Sequence, residues 1–221
     1  MRIVLINWAP IREGTARGGG VNGYCQGLAA ELVGRGHEVV SLCGGTRFEA
    51  GRNGVGDCRI ERTADWESVR VFEVVNSPVL APSLAQFREP MAEVSAPELE
   101  LRMGSWITDI RPDVVHWHNV EGFSAACIGT IRQASPKTTI LYSLHNYHTI
   151  CPQVYLMQGH RRPCFNFENG HACVGCIPAP EPAAERARLM ENRPPARTAT
   201  PPAPSPHHRS ILGAIRDVAA R

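Results

Sequence analysis

The chain has 221 residues, 43% of them hydrophobic, and a formal charge of +2, which suits one α/β domain with its own core plus a tail. So small a charge, with no basic stripe and no interleaved aromatics, argues against nucleic acid as a partner. The apolar run at residues 3–6 is far shorter than a signal-peptide core or a membrane span, so no transmembrane segment is expected, and the location expected is the cytoplasm, with room for a peripheral contact on the inner face of the membrane.

Residues 3–6 form a continuous apolar run, as in a parallel strand buried on both faces. A polar loop leads to Gly18, Gly19 and Gly20. Apolar positions 21, 24, 25, 28, 29 and 32 then predict an amphipathic helix, with Gly36 as its left-handed stop. Residues 38–43 read as a second strand, 44–58 as a glycine-rich loop, and 69–75 as a strand. Pro78, Pro82, Pro90 and Pro97 exclude a long helix over 76–97. Leu99, Met103, Trp106, Ile107 and Ile110 mark a helix ending at Arg111-Pro112. Residues 114–117 read as a strand, 123–134 as a helix and 138–144 as a strand. The alternation predicts a Rossmann-like, doubly wound parallel sheet with right-handed crossovers. It fills a domain at 1–177 with a Cys-rich insertion at 148–177. A Pro-rich, low-complexity tail at 178–209 is expected to be disordered, and Ser210 can cap a short C-terminal helix at 210–221.

Ligands of open parallel sheets bind at the carboxyl ends of the strands, where this chain carries His118-Asn119 and His145-Asn146. We expect His116 and His118 on opposite faces of the sheet, His116 packed inside and His118 toward a ligand. A neutral imidazole at His145 can exchange hydrogen bonds with a sugar hydroxyl and move a proton near neutral pH; a structural loop bond is the plainer reading of either histidine. Gly18, Gly19, Gly20 and Gly23 formally match a dinucleotide pattern, but they lie well past the strand end and no acidic residue closes the second strand. NAD is therefore not expected. The better reading is a glycine loop bringing bare N–H groups close to a phosphate or sugar. Four of the eight cysteines, Cys151, Cys164, Cys173 and Cys176, follow the spacing C-x12-C-x8-C-x2-C. Such a set suits a structural Zn²⁺, with disulfides or free thiols as alternatives and His148, His160 and His171 as alternative ligands. Cys25, Cys43, Cys58 and Cys127 read as small buried hydrophobes.

The glycine loop with Gly34-Arg35-Gly36-His37-Glu38-Val39, then Arg111-Pro112-Asp113-Val114-Val115-His116, then His145-Asn146-Tyr147 with Cys151-Pro152, resembles the N-terminal domain of retaining glycosyltransferases of family 4, over roughly residues 1–177. The resemblance implies the N-terminal half of a GT-B fold, binding a sugar, lipid-linked or other small-molecule acceptor. It places His145 near the transferred sugar as the catalytic candidate, and Gly18–Gly20 near the diphosphate of a nucleotide-sugar donor. His118, Asn119 and Asn146 become substrate-binding candidates, Asn146 standing where many members have aspartate. The family's pair of glutamates eight positions apart does not occur in the chain. The donor-binding domain is thus expected from a separate polypeptide, or to have been lost by truncation. A non-catalytic acceptor- or partner-binding domain is the alternative.

Overall fold

The computed structural model describes residues 1–52, 54–177 and 180–191. The elements in chain order are β1 (Arg2–Ile6), α1 (Gly19–Gly34), β2 (Glu38–Arg47), β3 (Ala50–Gly51), β4 (Gly54–Val55), β5 (Arg59–Arg62), β6 (Arg70–Val75), α2 (Pro90–Val94), α3 (Pro97–Ile110), β7 (Val114–Trp117), α4 (Ala126–Ala134), β8 (Thr139–Tyr142), β9 (Met157–Gln158), β10 (Arg162–Pro163), α5 (His171–Val174) and α6 (Pro182–Glu191). Six strands make one sheet in the order β5-β6-β2-β1-β7-β8. All its pairs are parallel except β5 with β6.

β1 lies at the centre because both of its faces are apolar. Val4 and Ile6 join Leu42, Val115 and Trp117 beneath Leu99, Met103, Ile107 and Ile131 of α3 and α4. Ile3 and Leu5 pack with Val39 and Val71 against Ala29, Leu28 and Leu32 of α1. Each such side chain contributes roughly 1.5–3 kcal/mol on burial, an upper bound set by the unfolded reference. α1 stops as expected: Gly36 has φ 79°, the Gly36 N–H donates to Val33 O and the His37 N–H to Leu32 O, as in a Schellman turn. α3 ends at Arg111, itself left-handed at φ 52°, just before Pro112.

Three expectations are corrected. β2 does not end at Cys43 but continues through Gly44 and Gly45 to Arg47. Arg47 there gathers Glu49, Glu61 and Glu73 at 2.7–3.5 Å and ties down the antiparallel edge strand β5, which has no strong period of its own. α4 begins at Ala126; Phe123 sits in the preceding turn, edge-on to Trp117 at 5.4 Å between ring centroids. The Pro-rich segment is helical over Pro182–Glu191, where Ala, Glu, Arg, Leu and Met are strong helix formers. Leu189 and Met190 pack there against Phe48, Leu80 and Ala85, and Arg186 donates to Pro78 O at 2.9 Å. The Cys-rich insertion at 148–177 contains the small hairpin β9–β10 and the single turn α5. The helix expected at 210–221 lies outside the described residues.

The β2 extension crosses the turn after β7 at contact distance. A Cβ on Gly45 would stand 2.5 Å from Gly122 Cα, and a Cβ on Gly122 would run into the Gly44 carbonyl. Gly122 is also left-handed at φ 80°. Gly122→Ala is expected to cost on the order of 2–4 kcal/mol in urea unfolding. Gly129→Ala, on an open face of α4, should be neutral or stabilising by up to ~1 kcal/mol.

Candidate functional site

The carboxyl rim is built by the turns after β1, β7 and β8. After β1, Asn7 is buried and its Nδ2 donates to Asn22 Oδ1 at 3.3 Å. Asn22, fully buried in α1, turns its own Nδ2 to the carbonyls of Pro10, Gly14 and Arg17 at 2.9–3.0 Å. One amide thereby ties the polar loop to the helix. Gly18 makes the entry at φ 81°, where a Cβ would meet Ala9 Cβ at 2.6 Å. Gly19 and Gly20 then open the first turn of this 16-residue helix. They are exposed, with nothing within 4 Å of a notional Cβ. The N–H groups of a first helical turn lack intrahelical partners and carry the positive end of the helix dipole. Of the three glycines expected to bind, Gly18 is thus the turn-former, and Gly19 and Gly20 are the two accessible to a ligand.

Little more than one turn further along α1, half-exposed Tyr24 stands 5.7 Å from His118 and 5.2 Å from His145, ring centroid to ring centroid. His118 Nδ1 and His145 Nε2 are 3.1 Å apart, so one donates and the other accepts. His116 Nε2 meets Ser143 Oγ at 2.8 Å. The expectation that His116 and His118 face opposite ways is overturned: their rings are 4.0 Å apart. Residues two apart on a strand share a face. Burial, then its neighbours His116 and His145, push His118 down to about 3. Burial also lowers His116, with help from His145, and burial lowers His145. All three are neutral imidazoles at pH 7. His145 is exposed, whereas His118 is 1% exposed with its Nε2 unpartnered. His118 therefore sits behind His145.

Asn119 is buried, and its amide is spent within its own turn: Nδ2 donates to Glu121 Oε2 at 2.8 Å and Oδ1 accepts from the Glu121 N–H at 2.9 Å. It holds Glu121 and does not face a ligand. Asn146 accepts from the His148 N–H at 3.0 Å and shapes the turn after β8. Sequence reasoning missed the acidic group beneath the rim. Glu121 is 4% exposed and accepts the Ser83 N–H at 2.9 Å. Glu93 lies 3.8 Å from His148 Nε2. Burial, then the charge of Glu121, raise Glu93 from 4.5 to about 7. Burial holds His148 below its ordinary value against the pull of Glu121. The one signal of this cluster in the sequence is Glu121 closely following Asn119 at a strand end.

The four clustered cysteines line one small cavity, and no histidine lines it with them. Burial, then Cys151, Cys164 and Cys176, raise the Cys173 thiol. Among the described residues no three His, Cys, Asp or Glu side chains stand close enough to hold a metal ion as they are. Cys25, Cys43, Cys58 and Cys127 are separate, buried and protonated, with Cys25 and Cys58 at about 12 and Cys127 at about 11 through burial. A shallow concavity of about 460 Å³ between α3 and α4, floored by Gly104 and Thr130, includes none of the rim residues. No helix among the described residues is long and apolar enough to cross a membrane.

The family described as glycosyl transferase 4-like domain matches residues 19–199. No curated protein matches the chain.

Glu93 supplies a pH test. Its pKa is raised on folding, so its contribution to stability is complete below about pH 4.5 and is lost as pH rises through about 7. Its side chain is 24% exposed, which cuts the cost of ionisation to on the order of 1–2 kcal/mol. Glu93→Gln should match the parent near pH 4.5 and exceed it by that amount at pH 8 in urea denaturation. Equal differences at both pH values would contradict this.

Proposed function

Since the chain belongs to the glycosyl transferase 4-like family, we propose that it forms the acceptor-side half of a retaining glycosyltransferase, moving a sugar from a nucleotide-sugar donor to an acceptor hydroxyl. The observation that carries the reading is the meeting of three features at one strand-end rim: the bare first turn of α1 at Gly19 and Gly20, the exposed edge of Tyr24, and the His118–His145 pair. The helix terminus offers fixed N–H dipoles to a diphosphate whose charge grows as it leaves, the kind of preorganised stabilisation that lowers a transfer barrier most. His145, neutral and exposed, offers a ring nitrogen to a hydroxyl of the transferred sugar. His118 sets the tautomer and tilt of that ring from behind.

The rim is one wall of a cleft. The wall that grips the nucleotide is supplied from outside the described residues, whether by further chain or by a separate polypeptide. Zinc and NAD have no part in this reaction as proposed. Leu141, Leu144, Tyr147 and Ile150 are exposed on and just beyond β8. They favour a second reading, in which the rim binds an acceptor or a protein partner without catalysis.

Saturation-transfer NMR with a panel of nucleoside-diphosphate sugars and simple glycosides separates the two. Under the first reading the sugar protons of a nucleotide sugar receive saturation from the chain. His145→Ala should weaken that contact by about 5- to 30-fold, the loss of one hydrogen bond to a substrate hydroxyl. Contact with a glycoside but with no nucleotide sugar is the outcome of the second reading. Sugar contact indifferent to both His145→Ala and Tyr24→Ala would remove the rim as the site.

A further inference from the structure

Residues 146–177 leave the sheet after β8 and have almost no core of their own. Within them only Cys151, Gln153 and Ile177 are buried, while Tyr155, Phe167, Val174 and above all Phe165, 94% exposed, face solvent. The backbone is also costly. Val154, Leu156, His160, Glu168 and Asn169 all have φ between 51° and 62°, at on the order of 1–3 kcal/mol for each such residue, most for the β-branched valine. A segment with so little buried surface and so many left-handed residues needs something else to fix it.

The cysteines stand where that fixing would act. Cys151, Cys164, Cys173 and Cys176 come from four points along the segment and line one cavity of about 20 Å³. That is room for a single water-sized sphere, hence for one metal ion and nothing larger. The other walls are Pro152, Met157, Ala172, Ile177 and the neutral amides Gln153 and Gln158, so the four thiols are the only groups there that can bind a metal as anions. Cys176 already has the outer hydrogen bonds that orient a thiolate ligand: the Gly159 N–H donates to its Sγ at 3.1 Å and Gln153 Nε2 at 3.5 Å. Its own S–H donates to Met157 O at 3.6 Å.

We propose that Cys151, Cys164, Cys173 and Cys176 bind one Zn²⁺ as a closed tetrahedral site that crosslinks the segment. Each thiol releases its proton to solvent as its sulfur–zinc bond forms, with no change of oxidation state. The thiols surround the cavity without yet converging. Ligation at ~2.3 Å per bond draws Cys164, just after β10, and the Cys173–Cys176 turn in toward buried Cys151. Four soft thiolates with no carboxylate among the lining residues select zinc over magnesium or calcium. One disulfide would join only two of the four points, and two disulfides would join them only in separate pairs, whereas one ion joins all four. None of the residues lining this cavity belongs to the rim, so the site stands or falls independently of the sugar-transfer reading.

The test uses the full chain purified under reducing conditions without added metal. Elemental analysis should find about one zinc per chain, released by a mercurial thiol reagent. The Cys173→Ser, Cys176→Ser double variant should lose it, and Cys58→Ala, altering a buried core thiol, should keep it. Because the double variant can misfold, the parent chain is also stripped with a chelator and titrated with Zn²⁺. Saturation at about one equivalent with at least a tenfold slowing of proteolysis within 154–170 is the expected result. Reduced protein that neither carries nor takes up zinc overturns the site. So does iron in place of zinc, disulfides among these four cysteines in unreduced protein, or zinc retained by the double variant.

Discussion

The functional rim depends on a steric constraint, the crossing of Gly44 and Gly45 beneath Gly122. β2 extends past the end of β1 only because two glycines let another backbone lie directly on it. Ser77 Oγ holds the Gly122 carbonyl at 2.9 Å and the Ala81 N–H holds the Gly45 carbonyl at 2.9 Å. With that turn pinned, His118, Asn119 and Glu121 lose their freedom together. His118 is delivered to the face that α1 covers, and Glu121 is delivered to the N–H of Ser83. The same crossing thus places the imidazole pair and the buried carboxylate.

Above this support the rim is made of neutral groups and oriented dipoles. Burial lowers His116, His118 and His145, and neighbouring imidazoles lower His116 and His118 further. The positive character comes from the α1 terminus, held at one angle by the three carbonyl contacts of Asn22. Such a surface suits the hydroxyls and diphosphate of the proposed reaction, and loses little to reorganisation when charge moves. The cysteine segment differs in kind. It adds exposed aromatic surface and a strained backbone, little of its order comes from burial, and a crosslink is what the proposed zinc site would supply.

Much of the architecture was legible in the residues because its causes are local. The apolar runs in β1, β2 and β7, the period of α1 and α3, and the stops at Gly36 and Arg111-Pro112 report burial and backbone preference directly. The strand-end positions of His118 and His145 followed from the same pattern. What could not be read came from partners distant in sequence. β5 is a strand because β6 and Arg47 receive it, and α6 holds against Phe48 and Leu80, more than a hundred residues earlier. The shared face of His116 and His118 was open to derivation from strand period, and there the reading itself erred.

By itself, then, the sequence determined a doubly wound parallel sheet, a glycine entry to its first helix, histidines at two strand ends and a clustered set of thiols. Each of these is a property of short stretches, fixed by side-chain period, backbone permissiveness or spacing. Tertiary structure alone decided which of those residues are exposed at the rim and which are spent within it. Gly18 and Asn119 became scaffolding, His118 became the support of His145, and buried Glu121 emerged beside half-buried Glu93. Exposure, hydrogen-bond partners and pKa depend on what packs nearby, and that is set only when distant strands come into register.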